Sequence, residues 1–238
     1  MPKYIGRKVI KYIIRIITWR EMKKALMQIL PSRCKKDGLP EYGRFTPKEI
    51  QQIISQAQLH IEELIPCFKD LENIGNYQNA YLGLLSLAVY RALIKKNIES
   101  KYAMNIVGDM QWQAYRNNQG IVPIIDPIRK KWLNISKKDP LDIIDIRLRQ
   151  MMKYPYSKPG YQSEYYKENQ VIRWDFYSCP MHDFYKQFRK EEMTLFRRTM
   201  CTFDYSVAEH GVEGGKYERE HCLADGDKVC DMRWSVVR

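Results

Sequence analysis

The period of hydrophobic recurrence in this chain changes once, near residue 155, and that change limits its fold more than any other feature. Before it, apolar side chains recur at helical spacing, as in Ile50, Ile53, Ile54, Ala57, Ile61, Leu64 and Ile65. Thr46-Pro47-Lys48-Glu49 opens that helix: Thr46 caps free amides, Pro47 suits the first helical position, and Glu49 completes a capping box. Similar stripes run over 77–97 and about 101–117, and Asp139-Pro140-Leu141-Asp142 starts a helix of about 140–152. Past the turn-rich stretch holding Tyr154, Pro155, Pro159 and Gly160, the period drops to two. Ile172, Trp174 and Phe176 alternate with Arg173, Asp175 and Tyr177, and Cys230, Met232, Trp234 and Val236 alternate with Asp231, Arg233 and Ser235. Lys216 to Leu223 reads as a further strand, joined to the last by the turn Ala224-Asp225-Gly226-Asp227, and 180–200 reads as helix. The expected fold class is α+β. A helical N-terminal region, 1–155, packs with a C-terminal antiparallel sheet and interleaved helices, 156–238, as two regions or one continuous domain.

The 238 residues suffice for a sizeable core, and 45% apolar with 29% charged residues is a globular composition. Net charge is +12, but residues 1–40 hold eleven Lys or Arg against Glu21 and Asp37 and so carry +9 of it. With the remainder nearly balanced and no recognition motif present, nucleic acid is not an expected partner. Ile5, Val9, Ile13, Ile16, Ile17, Met22, Leu26 and Leu30 mark a basic amphipathic helix, read as docking on the protein's own core in preference to a membrane surface. Lys8, Lys11, Arg15 and Arg20 interrupt any secretory apolar run, and no stretch has the length and apolarity of a transmembrane helix. The expected compartment is the reducing cytoplasm, with free thiols.

Four of the six cysteines (Cys179, Cys201, Cys222, Cys230) and three of the four histidines (His182, His210, His221) fall in the last sixty residues. Cys179 ends a strand and precedes Pro180, which places its sulfur at a helix N-terminus, where unpaired amides favour a thiolate. His182 lies in the same first turn, and a thiol beside an imidazole is the equipment of nucleophilic cysteine chemistry. A buried, inert cysteine is the equally weighted alternative. Cys179, His182, Cys201, Cys222 and Cys230 could instead converge on zinc, although the Cys222–Cys230 gap is not a knuckle spacing. Among the acids, Asp204 shares a helix face with Cys201. Glu218 and Glu220 fall on the Cys222 side of their strand, and Glu209 is a further candidate.

Three blocks together resemble the L-2-amino-thiazoline-4-carboxylic acid hydrolase family: Tyr177-Ser178-Cys179-Pro180-Met181-His182-Asp183-Phe184, Cys201-Thr202-Phe203-Asp204-Tyr205, and Glu218-Arg219-Glu220 with Leu223 through Asp231. The Cys222-to-Cys230 run is also similar to the end of 4-vinyl-reductase type ligand-binding domains. The resemblance covers roughly 165–236. It implies a hydrolase that opens a small cyclic amidine or thiazoline-type carbon–nitrogen ring by cysteine- and carboxylate-assisted addition of water, with no cofactor. In that reading Cys179 is the nucleophile, His182 tunes or protonates, Asp204 anchors the protonated amidine nitrogen, and Glu220 or Glu209 handles the water. Arg173 or Arg219 would take a substrate carboxylate, with Cys201 and Cys230 beside the substrate. The rival expectation is a non-catalytic module that binds a small molecule or zinc. The basic N-terminal segment lies outside these blocks and is read as a partner or homo-oligomer contact.

Overall fold

The structure, a computed structural model, describes residues 2–119, 139–205 and 212–237. The chain divides into two compact units, Met1–Asp70 with Ala80–Gly120, and Leu71–Asn79 with Ile121–Arg238.

The N-terminal unit is helical: α1 (Pro2–Ile29), α2 (Pro47–Leu64), α3 (Ile74–Lys95, from Ala80 onward in this unit) and α4 (Ser100–Gln119). The start of α2 forms as its sequence requires. Thr46 Oγ1 accepts the Glu49 amide at 3.3 Å, and the Glu49 carboxylate accepts the Thr46 amide at 2.8 Å. Its buried residues are Ile50, Ile53, Ile54, Ala57, Ile61 and Leu64, one face of the helix. In α3, Leu84, Leu85, Leu87, Ala88 and Val89 are all fully buried, so this helix has no solvent face and forms the centre of the unit. Helix α1 divides along its length. Met22, Ala25, Leu26 and Leu30 at its end are buried, whereas Val9, Ile13, Ile16 and Ile17 stay exposed. Aliphatic residues occupy both sides of this helix, so spacing alone could not say which side docks.

The C-terminal unit holds α5 (Pro140–Lys153), α6 (Pro180–Tyr185), α7 (Lys190–Thr199) and a four-stranded antiparallel sheet. Its strands are β1 (Ser163–Lys167), β2 (Val171–Phe176), β3 (Gly215–Glu218) and β4 (Cys230–Val236), in the order β1-β2-β4-β3. The register sets Ile172 opposite Trp234, Trp174 opposite Met232 and Phe176 opposite Cys230. The alternation read from the sequence therefore becomes one apolar face. Ile172, Trp174, Phe176, Met232, Trp234 and Tyr217 pack with Leu141, Ile144 and Leu148 of α5. On the other face Asp175 accepts from Arg173 at 2.8 Å and from Arg233 at 2.7 Å.

Two local features add to the sequence reading and one departs from it. Strand β1 pairs with β2 at the sheet edge; its Ser-Glu-Tyr-Tyr-Lys sequence has no clean apolar alternation to announce it. The segment 180–200 is two helices, not one. Phe188 turns back onto the Phe184 ring at 5.0 Å, and the Arg189 amide donates to the buried Glu192 carboxylate at 3.1 Å, which starts a second helix. The strand from Lys216 also ends at Glu218, short of Leu223.

Candidate functional site

The early end of β3 decides which side chains reach the interior. Alternation along β3 points Tyr217 inward and Glu218 outward, and it carries through to Arg219, whose side chain is only 2% exposed. Just beyond, Asp231 Oδ1 accepts the amides of Glu220 at 3.1 Å and His221 at 2.7 Å, and the Cys222 amide donates to Asp227 at 2.7 Å. This turn shifts the alternation by one. Cys222 points inward beside Arg219, while Glu218 and Glu220 face solvent. A continuous strand would have put Glu220 and Cys222 on one side, as the sequence suggested.

A cavity lies within this unit, with about 60 Å³ of water-accessible space inside a hollow of about 500 Å³ that includes its mouth. The accessible space itself is well below the usual volume of a ligand pocket, so a ligand held here also occupies the mouth. Its wall gathers Cys179 and His182 from the start of α6, Cys201 and Asp204 after α7, Arg219 and Cys222 after β3, and Cys230 of β4. Of the residues singled out in sequence, the cavity thus unites Cys179, His182, Cys201, Asp204, Arg219 and Cys230. Glu220 is absent from its wall. Arg173 lies on the other sheet face, bonded to Asp175 and stacked over Tyr166. Glu209 and His210 lie outside the described residues.

Arg219 is the hub of the polar wall. Its Nη1 donates to Asp204 Oδ2 at 3.0 Å and its Nη2 to the Cys201 carbonyl at 3.1 Å. Its Nε is buried and has no partner among the described residues. Burial raises the Asp204 carboxyl, and the Arg219 charge pulls it back, so that it titrates at about 6. A carboxyl at that value exchanges protons near neutrality.

The thiols separate into two kinds. Cys179 does sit at the N-terminus of α6, as expected, with the Met181 and His182 amides near its sulfur. Burial pushes this thiol up to about 12, outweighing the Met181 and His182 amides and the Tyr161 hydroxyl. Desolvation defeats the helix terminus here, which sequence position could not show. Cys222 is the opposite case. Its Sγ lies 3.7 Å from Cys230 Sγ, and the Cys201 thiol also interacts with it. Donation from both thiols, with Arg219 nearby, holds Cys222 far below an ordinary thiol, while Cys201 and Cys230 rise as the donors. Burial lowers His182, whose ring stacks on Phe196 and stays neutral. Cys222 was legible as part of the cysteine cluster, but only the turn at 220–222 reveals its place at the centre.

Among the described residues, the side chains whose potential ligand atoms all close to within 4.8 Å are Glu220 and His221 of the turn after β3 with Asp231 of β4, outside the cavity wall. Three groups on the cavity wall stand out chemically: a thiol held far below its ordinary value, a carboxyl near neutrality, and a guanidinium whose Nε has no partner among the described residues.

Residues 133–234 match the family model of L-2-amino-thiazoline-4-carboxylic acid hydrolase. The matched segment runs from before α5 to within β4 and contains every residue of the cavity wall. No curated protein and no solved structure matches the chain.

Proposed function

We propose that the C-terminal unit is a hydrolase that opens a small cyclic amidine or thiazoline-type ring inside this cavity. The observation that carries the reading is the meeting of Cys222, Asp204 and Arg219 on one wall, within the segment that matches the family. The ring carbon bonded to nitrogen becomes electrophilic once the amidine is protonated. Asp204, titrating at about 6, is suited to hold the protonated nitrogen and to pass a proton to it. The Cys222 thiolate adds to the carbon, the carbon–nitrogen bond breaks, and the departing nitrogen takes its proton from Asp204. Water then adds to the same carbon, giving its proton to the Asp204 carboxylate, and expels the Cys222 thiolate, which completes a net hydrolysis and restores both groups. The Arg219 charge would draw a substrate carboxylate to this wall, and its enclosed, unpartnered Nε would reach that carboxylate only after a small shift of the side chain.

Cys179 is less suited to the attack. A thiol at about 12 is ionised at pH 7 in roughly one molecule in 100,000, so it serves as a neutral wall beside Tyr161. His182, neutral and stacked on Phe196, forms another part of the wall.

Incubation with 2-amino-thiazoline carboxylates and related cyclic amidines, followed by mass spectrometry, tests the reading. Ring opening with gain of one water, and a transient adduct mapped to Cys222, is the expected result. Titration of new thiol in the product separates the two ring exits: cleavage at nitrogen leaves no free thiol, whereas cleavage at sulfur releases one. No turnover of any such ring by folded protein would reject the proposal.

A binding module for a small molecule or zinc is the second reading, supported by the gathering of Cys201, Cys222 and Cys230 on the cavity wall, although their sulfurs do not all close to within 4.8 Å of one another. Stoichiometric zinc in protein purified without chelator, together with unfolding on Cys230→Ser, would favour it over hydrolysis.

A further inference from the structure

We propose that the first half of α1 is a docking surface for an anionic phospholipid membrane. At 100° per residue, Val9, Tyr12, Ile13, Ile16 and Ile17 fall on one side of the helix, and each is roughly half exposed, from 46% for Ile13 to 65% for Tyr12. That side is not an unused core face. The opposite side already packs, through the buried Thr18 and Met22, and Lys11 on it pairs with Asp70. The helix therefore presents a convex aliphatic ridge in addition to its docked face.

Charge identifies the occupant. Helix α1 carries eight Lys or Arg residues against Glu21 alone. Arg7 and Lys8 flank the ridge at one end, and Arg20 and Lys24 continue it at the other, all exposed. A second copy of the chain on this ridge would set base against base in either orientation. An anionic bilayer surface answers both features at once: the acyl boundary takes the aliphatic ridge, and lipid phosphates take the bases. Tyr12 on the ridge and the half-buried Trp19 beside it have the amphipathic character of residues at headgroup level. Among the described residues no helix is long and apolar enough to cross a membrane, so the contact is with a surface.

The test is sedimentation of the full chain with vesicles of phosphatidylcholine alone and of phosphatidylcholine with an equal part of phosphatidylglycerol. Binding to the anionic vesicles only, weakened by salt, is expected. Each base near such a surface contributes about a factor of five, so Arg20→Gln with Lys24→Gln should weaken binding about 25-fold. Ile13→Ser, Ile16→Ser and Ile17→Ser together should abolish binding while circular dichroism shows unchanged helix content. Three results would overturn the proposal. One is full binding by the triple serine variant, which would mean adsorption by charge without the ridge. Another is absence of vesicle binding by the wild type. The last is a wild-type dimer in light scattering that the triple variant alone converts to a monomer, which would assign the ridge to a second copy.

Discussion

Asp204 Oδ2 accepts from Arg219 Nη1 at 3.0 Å across the cavity wall, although the two residues come from segments on either side of β3. Neither is optional to the other. The carboxyl is held near neutrality by opposing influences, burial upward and the guanidinium downward. The guanidinium, for its part, is almost fully enclosed and needs an anion beside it.

Replacing Arg219 with Met leaves that carboxyl buried and unpaired. The variant should lose about 3 kcal/mol of stability at pH 8 by chemical denaturation, toward the lower end of the range for breaking a buried pair. The loss should shrink below pH 6, where Asp204 is already neutral. An equal loss at both pH values would show that Asp204 does not titrate where its surroundings place it.

The pH dependence of folding has a definite sign. Asp204 is raised from 3.8 to about 6, so the folded state holds its proton more tightly than the unfolded state does. Its contribution is fully present below about pH 4 and is lost as pH rises through about 6, a decline of about 2–3 kcal/mol from this group. The difference in stability between wild type and Asp204→Asn, followed across pH 4–7, isolates it. Ring-opening activity that needs the protonated acid should fall over the same interval, and kcat against pH reads that directly.

Thiol reactivity should follow environment more than helix position. Limited alkylation by iodoacetamide with peptide mapping should modify Cys222 well before Cys179, with the exposed Cys67 as an internal reference. Cys222→Ser should lower kcat at least 100-fold, and Cys179→Ser should leave it within about tenfold of the wild type. The reverse ranking would return the nucleophile to Cys179.

The apolar face of the sheet is the structural mainstay of the same unit. Trp174 is 1% exposed and lies 6.4 Å from Trp234, ring to ring. Trp174→Ala should cost about 3–5 kcal/mol, read from the denaturation midpoint, and Thr46→Ala at the α2 cap only about 1 kcal/mol.

What the sequence disclosed was whatever depends on period and on local capping. The Thr46–Glu49 box, the Ile172/Trp174/Phe176 face and its partner face on β4 all appear where the pattern put them. The antiparallel sheet and the helical front also follow from those patterns. The shortfalls share a physical origin, since each depends on groups distant in sequence. The inward turn of Cys222 depends on Asp231 capturing two amides across the hairpin. The high thiol of Cys179 depends on enclosure by surrounding elements, and the partition of α1 depends on which of two aliphatic sides finds a neighbour. Clustering of cysteines pointed to the cavity, because its wall is built from the segments that carry them.

The bend between Arg219 and Cys222 acts as a phase lock. One residue more or fewer there would rotate either the guanidinium or the sulfur out toward solvent, whatever the chemistry of the inserted side chain. Variation in this molecule should therefore tolerate exchange of the solvent-facing Glu220 far better than any change in the length of the bend that carries it.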